Sequence, residues 1–349
     1  MNYTIQFWRW FFTLVICMLH FEPQYFEGEQ PIFKCGYLAV EFFFILSGFF
    51  LMRHAERSEE SAFQYSVSRV KSLYPTLVFS WILLIANLAI IRKYSLIEIL
   101  KEIKLHIWEY LLMNATGVTW DILNGVTWYI SALIIVGYFV YWLVKWNKKI
   151  FLGLIAPFAI LLIYQYYIGL GNGLDYHLAY ARLFMGSLNR AMGGLSIGCL
   201  TYEACKRVSK RKLTIWGKFC VNIFEMLVIV GLFDIMFYGE KNSNNLLVLI
   251  GFPVLIIIEW NGWTLLSKIL NKKVFNILGK ASLVIYTNQV LLIGIFISKF
   301  CKRRGYLLDS IEFLLLMNLF GIVGKSFLDK ICRKLPKVRI IERESYEER

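Results

Sequence analysis

The chain has 349 residues, 58% of them hydrophobic and 18% charged, with a net charge of +14. A soluble protein of this length needs far more polar surface, so one large soluble core is excluded, and repeated apolar stretches of about 17–25 residues are the mark of spanning helices. The basic residues sit in short runs beside the apolar stretches, as cytoplasmic loops require, which argues against nucleic acid as a partner.

The expected spans, in chain order, are 5–21, 37–52, 75–92, 127–144, 150–170, 182–204, 219–238, 246–260, 281–299 and 310–328. The expected fold is therefore an all-α polytopic membrane bundle of about ten transmembrane helices. The first apolar run lacks a small-residue cleavage site and reads as a retained helix. With the N-terminus inside, the connections on the inner side hold 25 Lys and Arg against 11 outside. That bias predicts both termini in the cytoplasm. The run Lys302, Arg303, Arg304 goes against it. The outer stretch 95–113 has apolar residues at helical spacing and reads as an amphipathic helix on the outer surface. The seven cysteines form no close pairs, so neither a disulfide framework nor a thiolate metal site is supported.

In the first span, Arg9 and His20 are eleven residues apart. They fall about 20° apart around a helix and about 16 Å apart along it, on one face. Either both serve a wet or paired interior, or Arg9 snorkels to headgroups and His20 sits at the interface. Glu41 opens the second span at a depth similar to His20, which makes His20 its natural partner. Ser47 and Gly48 lie mid-span, where a small pair allows close helix approach or a bound ligand. Arg69 and Lys71 sit just inside the third span and either bind phosphates or mark the cytoplasmic side. Pro75 suits the first turn of that span. The run Gly194-Leu-Ser196-Ile-Gly198 matches a nucleophile-elbow pattern but lacks the strand–turn–helix context, so packing is its better reading. Asp234, Glu259 and Arg190 are ionisable groups at membrane depth that can line the same interior. His54, His106 and His177 read as surface or interface residues.

These pieces, in this order, resemble the acyltransferase-3 family of integral-membrane acyltransferases that modify cell-surface polysaccharides. The resemblance rests on Arg9-x10-His20, on Glu41-Phe42-Phe43 with Ser47–Gly48, and on Arg69 to Tyr74–Pro75. Thr127–Trp128–Tyr129, Arg182-x-Phe184-x-Gly186 and Leu278–Gly279-x-x-Ser282-x-x-x-Tyr286 also fit. The second and fourth spans are most similar to members from Gram-positive bacteria. Residues 1–330 then form the membrane domain and 331–349 a cytoplasmic tail. The family resemblance implies an acyl-CoA donor, acetyl-CoA above all, with no permanently bound cofactor. It implies a glycan hydroxyl as acceptor, acylated on the far side of a bacterial plasma membrane. It also implies His20 as the base, Arg9 as a donor contact, and an essential acidic-Ser-Gly segment. Two positions depart from the pattern. Leu133 stands where many members carry Glu, and Gln289 where many carry His; both bear on the acceptor subclass.

The implied chemistry is coherent. A neutral imidazole can take the acceptor's proton, a carboxylate such as Glu41 can orient the ring, and Arg9, Arg69 and Lys71 can hold phosphates. Trp128, Arg182 and Arg190 complete the motif set. The rival reading is a transporter or flippase, in which the same ionisable residues form a path. A membrane sensor or scaffold is a third, and it would tolerate loss of His20.

Overall fold

The computed structural model describes residues 2–171, 173–175, 180–181, 184–211, 213–301 and 304–334. Arg182, His177, Lys302, Arg303 and the tail from 335 onward lie outside the described residues.

The described residues form a helical bundle with one two-residue β pair among them, β1 (Tyr180–Ala181) against β2 (Phe184–Met185). Helix α1 (Tyr3–Tyr25) starts where the Asn2 side chain accepts the Ile5 N–H, and α2 (Ala39–Arg57) follows a short loop. Helix α3 (Ala62–Ile90) begins well before the expected start at 75, because Ser61 and Gln64 form a reciprocal capping box. Pro75 therefore lies inside the helix rather than in its first turn. Helices α4 (Leu96–Leu105) and α5 (Ile107–Tyr110) occupy the expected amphipathic stretch, with a break at His106.

Helix α6 (Trp128–Ile150) leaves helical geometry at Asn147 (φ −156°, ψ 94°) and continues through a π-helical turn (Phe151–Ile155) into α7 (Ala156–Leu170). Next come α8 (Gly186–Val208), α9 (Ile215–Phe237), α10 (Val248–Asn261) and α11 (Leu265–Leu270). The described residues end on α12 (Lys273–Ile295), a second π-helical turn (Phe296–Phe300) and α13 (Tyr306–Lys334).

Eight segments among the described residues are long and apolar enough to cross a membrane, one of them Trp128–Leu170. That segment folds back at Asn147. Lys148 pairs with Glu203 at one end of α8, while Tyr167 donates to the Gly186 carbonyl (2.9 Å) at the other. Helix α7 thus runs antiparallel to α8. Helix α8 is too polar to count by composition, yet it is buried among α2, α6, α7 and α10. With these two, each of the ten expected spans corresponds to a helix. The outside of the bundle is apolar, as lipid contact requires: Phe219, Ile223, Leu227 and Val230 of α9 are exposed.

The helix ends sort into two sets. At the basic end, Asn2 donates to the Glu259 carbonyl (2.9 Å), Arg53 lies over Trp260 (5.1 Å), and Lys206 bonds Glu56 (2.9 Å). At the far end, Cys35 N–H bonds the Met236 carbonyl (3.0 Å) and Tyr306 donates to Glu22 (2.5 Å). Segment 107–127 folds down over the far end. Its anchor is Glu109, fully buried, which accepts from Trp81 Nε1 (2.8 Å), Leu123 N–H (2.6 Å), Asn124 N–H (3.2 Å) and the Thr127 hydroxyl (3.0 Å). Burial pushes this carboxyl above the usual carboxylate range, against the pull of those donors. The amphipathic stretch does not simply lie on the surface, since its last turn is built into the bundle.

Candidate active site

Helix α1 stands between two apolar cores. Trp8, Phe12 and Val15 pack towards α2 and α10, with Phe12 4.6 Å from Phe42. Cys17, Phe21 and Tyr25 pack towards α12 and α13, with Phe21 stacked on Phe313 at 4.6 Å. At 100° per residue, the strip between these faces carries Arg9, Thr13 and His20. Because α1 is continuous, Arg9 and His20 do share one strip, about 16 Å apart along the axis. Both are half-buried.

Helix α8 fixes the second half of the interior. Its glycines let its backbone touch α2. A Cβ on Gly198 would sit 2.0 Å from the Ile45 carbonyl oxygen, and one on Gly48 would sit 2.2 Å from that of Leu195. Small residues at such a crossing are the usual basis of close packing in lipid. Gly48 and the Gly194–Gly198 run therefore meet as packing surfaces.

This contact brings Arg190 to Glu41. The Arg190 Nε donates to Glu41 Oε1 (2.7 Å) and its Nη2 to the Tyr37 carbonyl (3.3 Å). The guanidinium lies 5.4 Å from the Trp128 ring centre and 5.9 Å from that of Tyr37. Both charged residues are fully buried. The expectation that Glu41 pairs with His20 is thus corrected: its partner is Arg190, across the α2–α8 contact. The second oxygen, Glu41 Oε2, has no hydrogen-bond partner among the described residues and lies against Gly194.

A second polar group lies where α1, α2, α6 and α12 meet. The Ser47 hydroxyl is 3.4 Å from that of Tyr129. The Tyr129 ring is 6.2 Å from Phe43 and 6.0 Å from Tyr286, whose hydroxyl donates to the Val126 carbonyl (2.6 Å). Arg9 and Glu41 both act electrostatically on Tyr129. Arg9 also donates to Gln6 (2.9 Å). Gln289, one helical turn beyond Tyr286, is fully buried, and neither of its amide atoms is hydrogen-bonded among the described residues. Buried polar atoms are normally satisfied, so this amide calls for a water or another polar group.

At the basic end, Arg69 lies over the Tyr65 ring (5.1 Å), which stacks on Tyr141 at 4.2 Å. His54 joins this group and bonds Glu60 (3.0 Å). Lys71, two residues on from Arg69, is exposed. Three further expectations need correction. Glu259 belongs to the basic end, where it accepts from Trp8 Nε1 (2.7 Å), and Asp234 is exposed, so neither lines the Glu41–Arg190 interior. His106 is buried, not superficial, and bonds the Glu102 carbonyl (2.8 Å).

The family model for an acyltransferase domain matches residues 2–324. The chain belongs to the acyltransferase-3 family. No curated protein and no solved structure matches it. The protein is therefore a multi-pass membrane acyltransferase. One member of the Glu41–Arg190 interior had no separate signal: Tyr37 supplies a carbonyl, which no side-chain pattern reveals. Outside it, Glu109 falls in line with Glu98 and Glu102 on the polar side of the amphipathic stretch, so its pattern gives no sign of burial.

Proposed function

We propose that the acyltransferase takes an acyl group, acetyl above all, from acyl-CoA at the basic end and transfers it to a glycan hydroxyl presented at the far end. The basic end is the cytoplasmic one on this reading, from the excess of Lys and Arg in its loops. A bacterial plasma membrane with both termini inside is the setting, and residues 1–330 are the working domain. The observation that carries the proposal is the α1 strip. It presents Arg9 and His20 along one line through the bundle, beside the Ser47–Tyr129 hydroxyl pair.

On this reading, Arg9 and Arg69 hold donor phosphates, with exposed Lys71 adding charge at the entrance. Neutral His20 takes the proton of the acceptor hydroxyl as its oxygen attacks the thioester carbonyl. The Ser47–Tyr129 pair holds two hydroxyl protons and uses one internally, which leaves one to donate to the developing oxyanion. The tetrahedral intermediate collapses by breaking the C–S bond. The CoA thiolate takes up the proton held by the imidazolium, and the products are an O-acyl ester and free CoA thiol. Glu41 acts through Arg190: the pair fixes α8 and Trp128 against α2. The packed interior keeps bulk water from the thioester.

The test is mass spectrometry of surface glycans from cells with and without the gene, paired with acetyl-CoA consumption by isolated membranes. The expected result is an ester on the glycan and acceptor-dependent release of CoA, both lost without the gene. Glycans identical in the two strains, with no CoA released, would overturn the reading of acetyl-CoA as donor and a glycan as acceptor.

A further inference from the structure

The far end carries a cleft of about 530 Å³ that the reaction interior does not include. One wall is Lys101, Lys104 and Leu105 of α4 with Trp108 of α5, and the other is Val118, Thr119, Trp120 and Asp121. The size suits a few sugar units. Both tryptophans are open to the surface, Trp108 at 43% and Trp120 at 59%.

The α4 face in this cleft is not the one the helix offers to lipid. Leu96, Leu100 and Ile103 lie together on one side of α4, all exposed, and suit the bilayer surface. Lys104, Lys101 and Leu105 lie roughly 70°, 130° and 170° away from the middle of that side. The cleft is also held in shape. Glu109, directly after Trp108, accepts the Leu123 N–H (2.6 Å) and the Asn124 N–H (3.2 Å), which ties one wall to the other. Across the cleft, Asp121 N–H bonds the Thr119 hydroxyl (3.0 Å) and fixes that loop. The walls are thus built before any ligand arrives, which lowers the ordering cost of binding.

The chemistry in this cleft is specific in kind. Indole faces cover the apolar C–H faces of a pyranose ring. Two ammonium groups match a carboxylate or phosphate, and Asp121 and Thr119 can bond sugar hydroxyls. We propose that the cleft between α4–α5 and the 118–121 loop grips an anionic glycan chain beside the unit that is acylated. This rests on the glycan-acceptor reading and narrows it to chains bearing acid groups. The connection to the reaction interior is short. From Asp121 the chain passes Asn124, which bonds Ser80 (3.0 Å) and the Thr287 carbonyl (2.7 Å). It then reaches Val126, which accepts from Tyr286, and Trp128 beside Arg190. A glycan held in the cleft presents its neighbouring unit to this interior.

The experiment uses the full chain in nanodiscs of zwitterionic lipid. Binding is followed by calorimetry with a hyaluronan oligosaccharide as the anionic probe and a malto-oligosaccharide of equal length as the neutral one. The anionic probe should bind at least about tenfold more tightly than the neutral one. Trp108→Ala and Trp120→Ala should each weaken it by roughly tenfold, as loss of an aromatic anchor does. The Lys101→Glu/Lys104→Glu variant should erase the preference for the anionic probe. All three changes are at exposed positions, and size-exclusion elution like the wild type checks the fold. Wild-type affinity for the anionic probe in both Trp variants overturns the proposal. So does a loss confined to binding of phosphatidylglycerol vesicles, which would assign these residues to the lipid surface. If the wild type binds the anionic probe through these residues yet forms no ester on any glycan, the acceptor reading falls and the cleft stands. If it acylates a glycan and the variants do so with unchanged KM, the cleft proposal falls alone.

Discussion

The Glu41–Arg190 pair in the core and the Glu56 cluster at the basic end use the same charges in opposite surroundings. In the core, both partners are fully buried and the guanidinium is spent on one carboxylate and one carbonyl. At the basic end, Glu56 is shared by Lys148, Lys206 and the Tyr202 hydroxyl (2.9 Å), and the Lys206 side chain is 50% exposed. The difference is one of alternatives. A cluster that reaches solvent can replace any lost partner with water. A core pair cannot, so it fixes how α2 and α8 sit against each other.

The largest effect should come from breaking the core pair. Arg190→Met or Glu41→Gln leaves a buried group unpaired or half-satisfied, and breaking a buried pair from one side costs about 3–5 kcal/mol. The expected outcome is a large drop in melting temperature in detergent. Replacing both residues by apolar ones of similar volume should recover most of it, since such swaps are often neutral. A double variant no more stable than the singles would mean that the pair does more than hold two helices together.

Next in size is Gly198→Ala. The added methyl meets the Ile45 carbonyl and the Phe49 N–H, both backbone atoms that cannot turn aside. The cost should reach the upper part of the overpacking range, about 1–3 kcal/mol. Thermal unfolding of this variant against Gly137→Ala, at a glycine with open space around it, is the comparison to make. Equal losses would deny the α2–α8 contact.

The smallest effect should be Lys206→Ala. The pair is half-exposed and screened, so about 0.2–1 kcal/mol is expected, less at high salt. A loss as large as that of Arg190→Met would erase the contrast between the two regions.

The same contrast explains what could be read from the chain. All the expected spans but α8 lie in segments long and apolar enough to cross a membrane, so length and composition made them legible, while α8 is too polar to be told that way. Gly194–Gly198 was legible as packing, while Ser47–Gly48 left close helix approach and a bound ligand both open until the α2–α8 contact placed Gly48 against Leu195. The start of α3 lies upstream of its apolar run, because the Ser61–Gln64 capping box sets where the helix begins and the apolar run only where it meets lipid. The partner of Glu41 was not legible. His20 stood near it in sequence and expected depth, whereas Arg190 lies 149 positions away and is brought in by the glycine contact. Periodicity reports which face a residue occupies, not which helix comes to meet it. His106 failed for a related reason: an amphipathic pattern predicts a surface helix, and a turn folded into the bundle end looks the same.

The central claim is that His20 is the base of an acyl transfer powered by acyl-CoA. Its most direct test is the rate of ester formation by purified wild-type and His20→Ala protein in nanodiscs, with acetyl-CoA and a glycan acceptor. Elution and melting temperature serve as the fold control. Loss of a general base costs on the order of 10²–10⁴-fold. The account predicts a fall of that size in His20→Ala, with the protein still folded. A folded His20→Ala protein that forms ester within about twofold of the wild-type rate would contradict it, since general-base catalysis contributes far more than that.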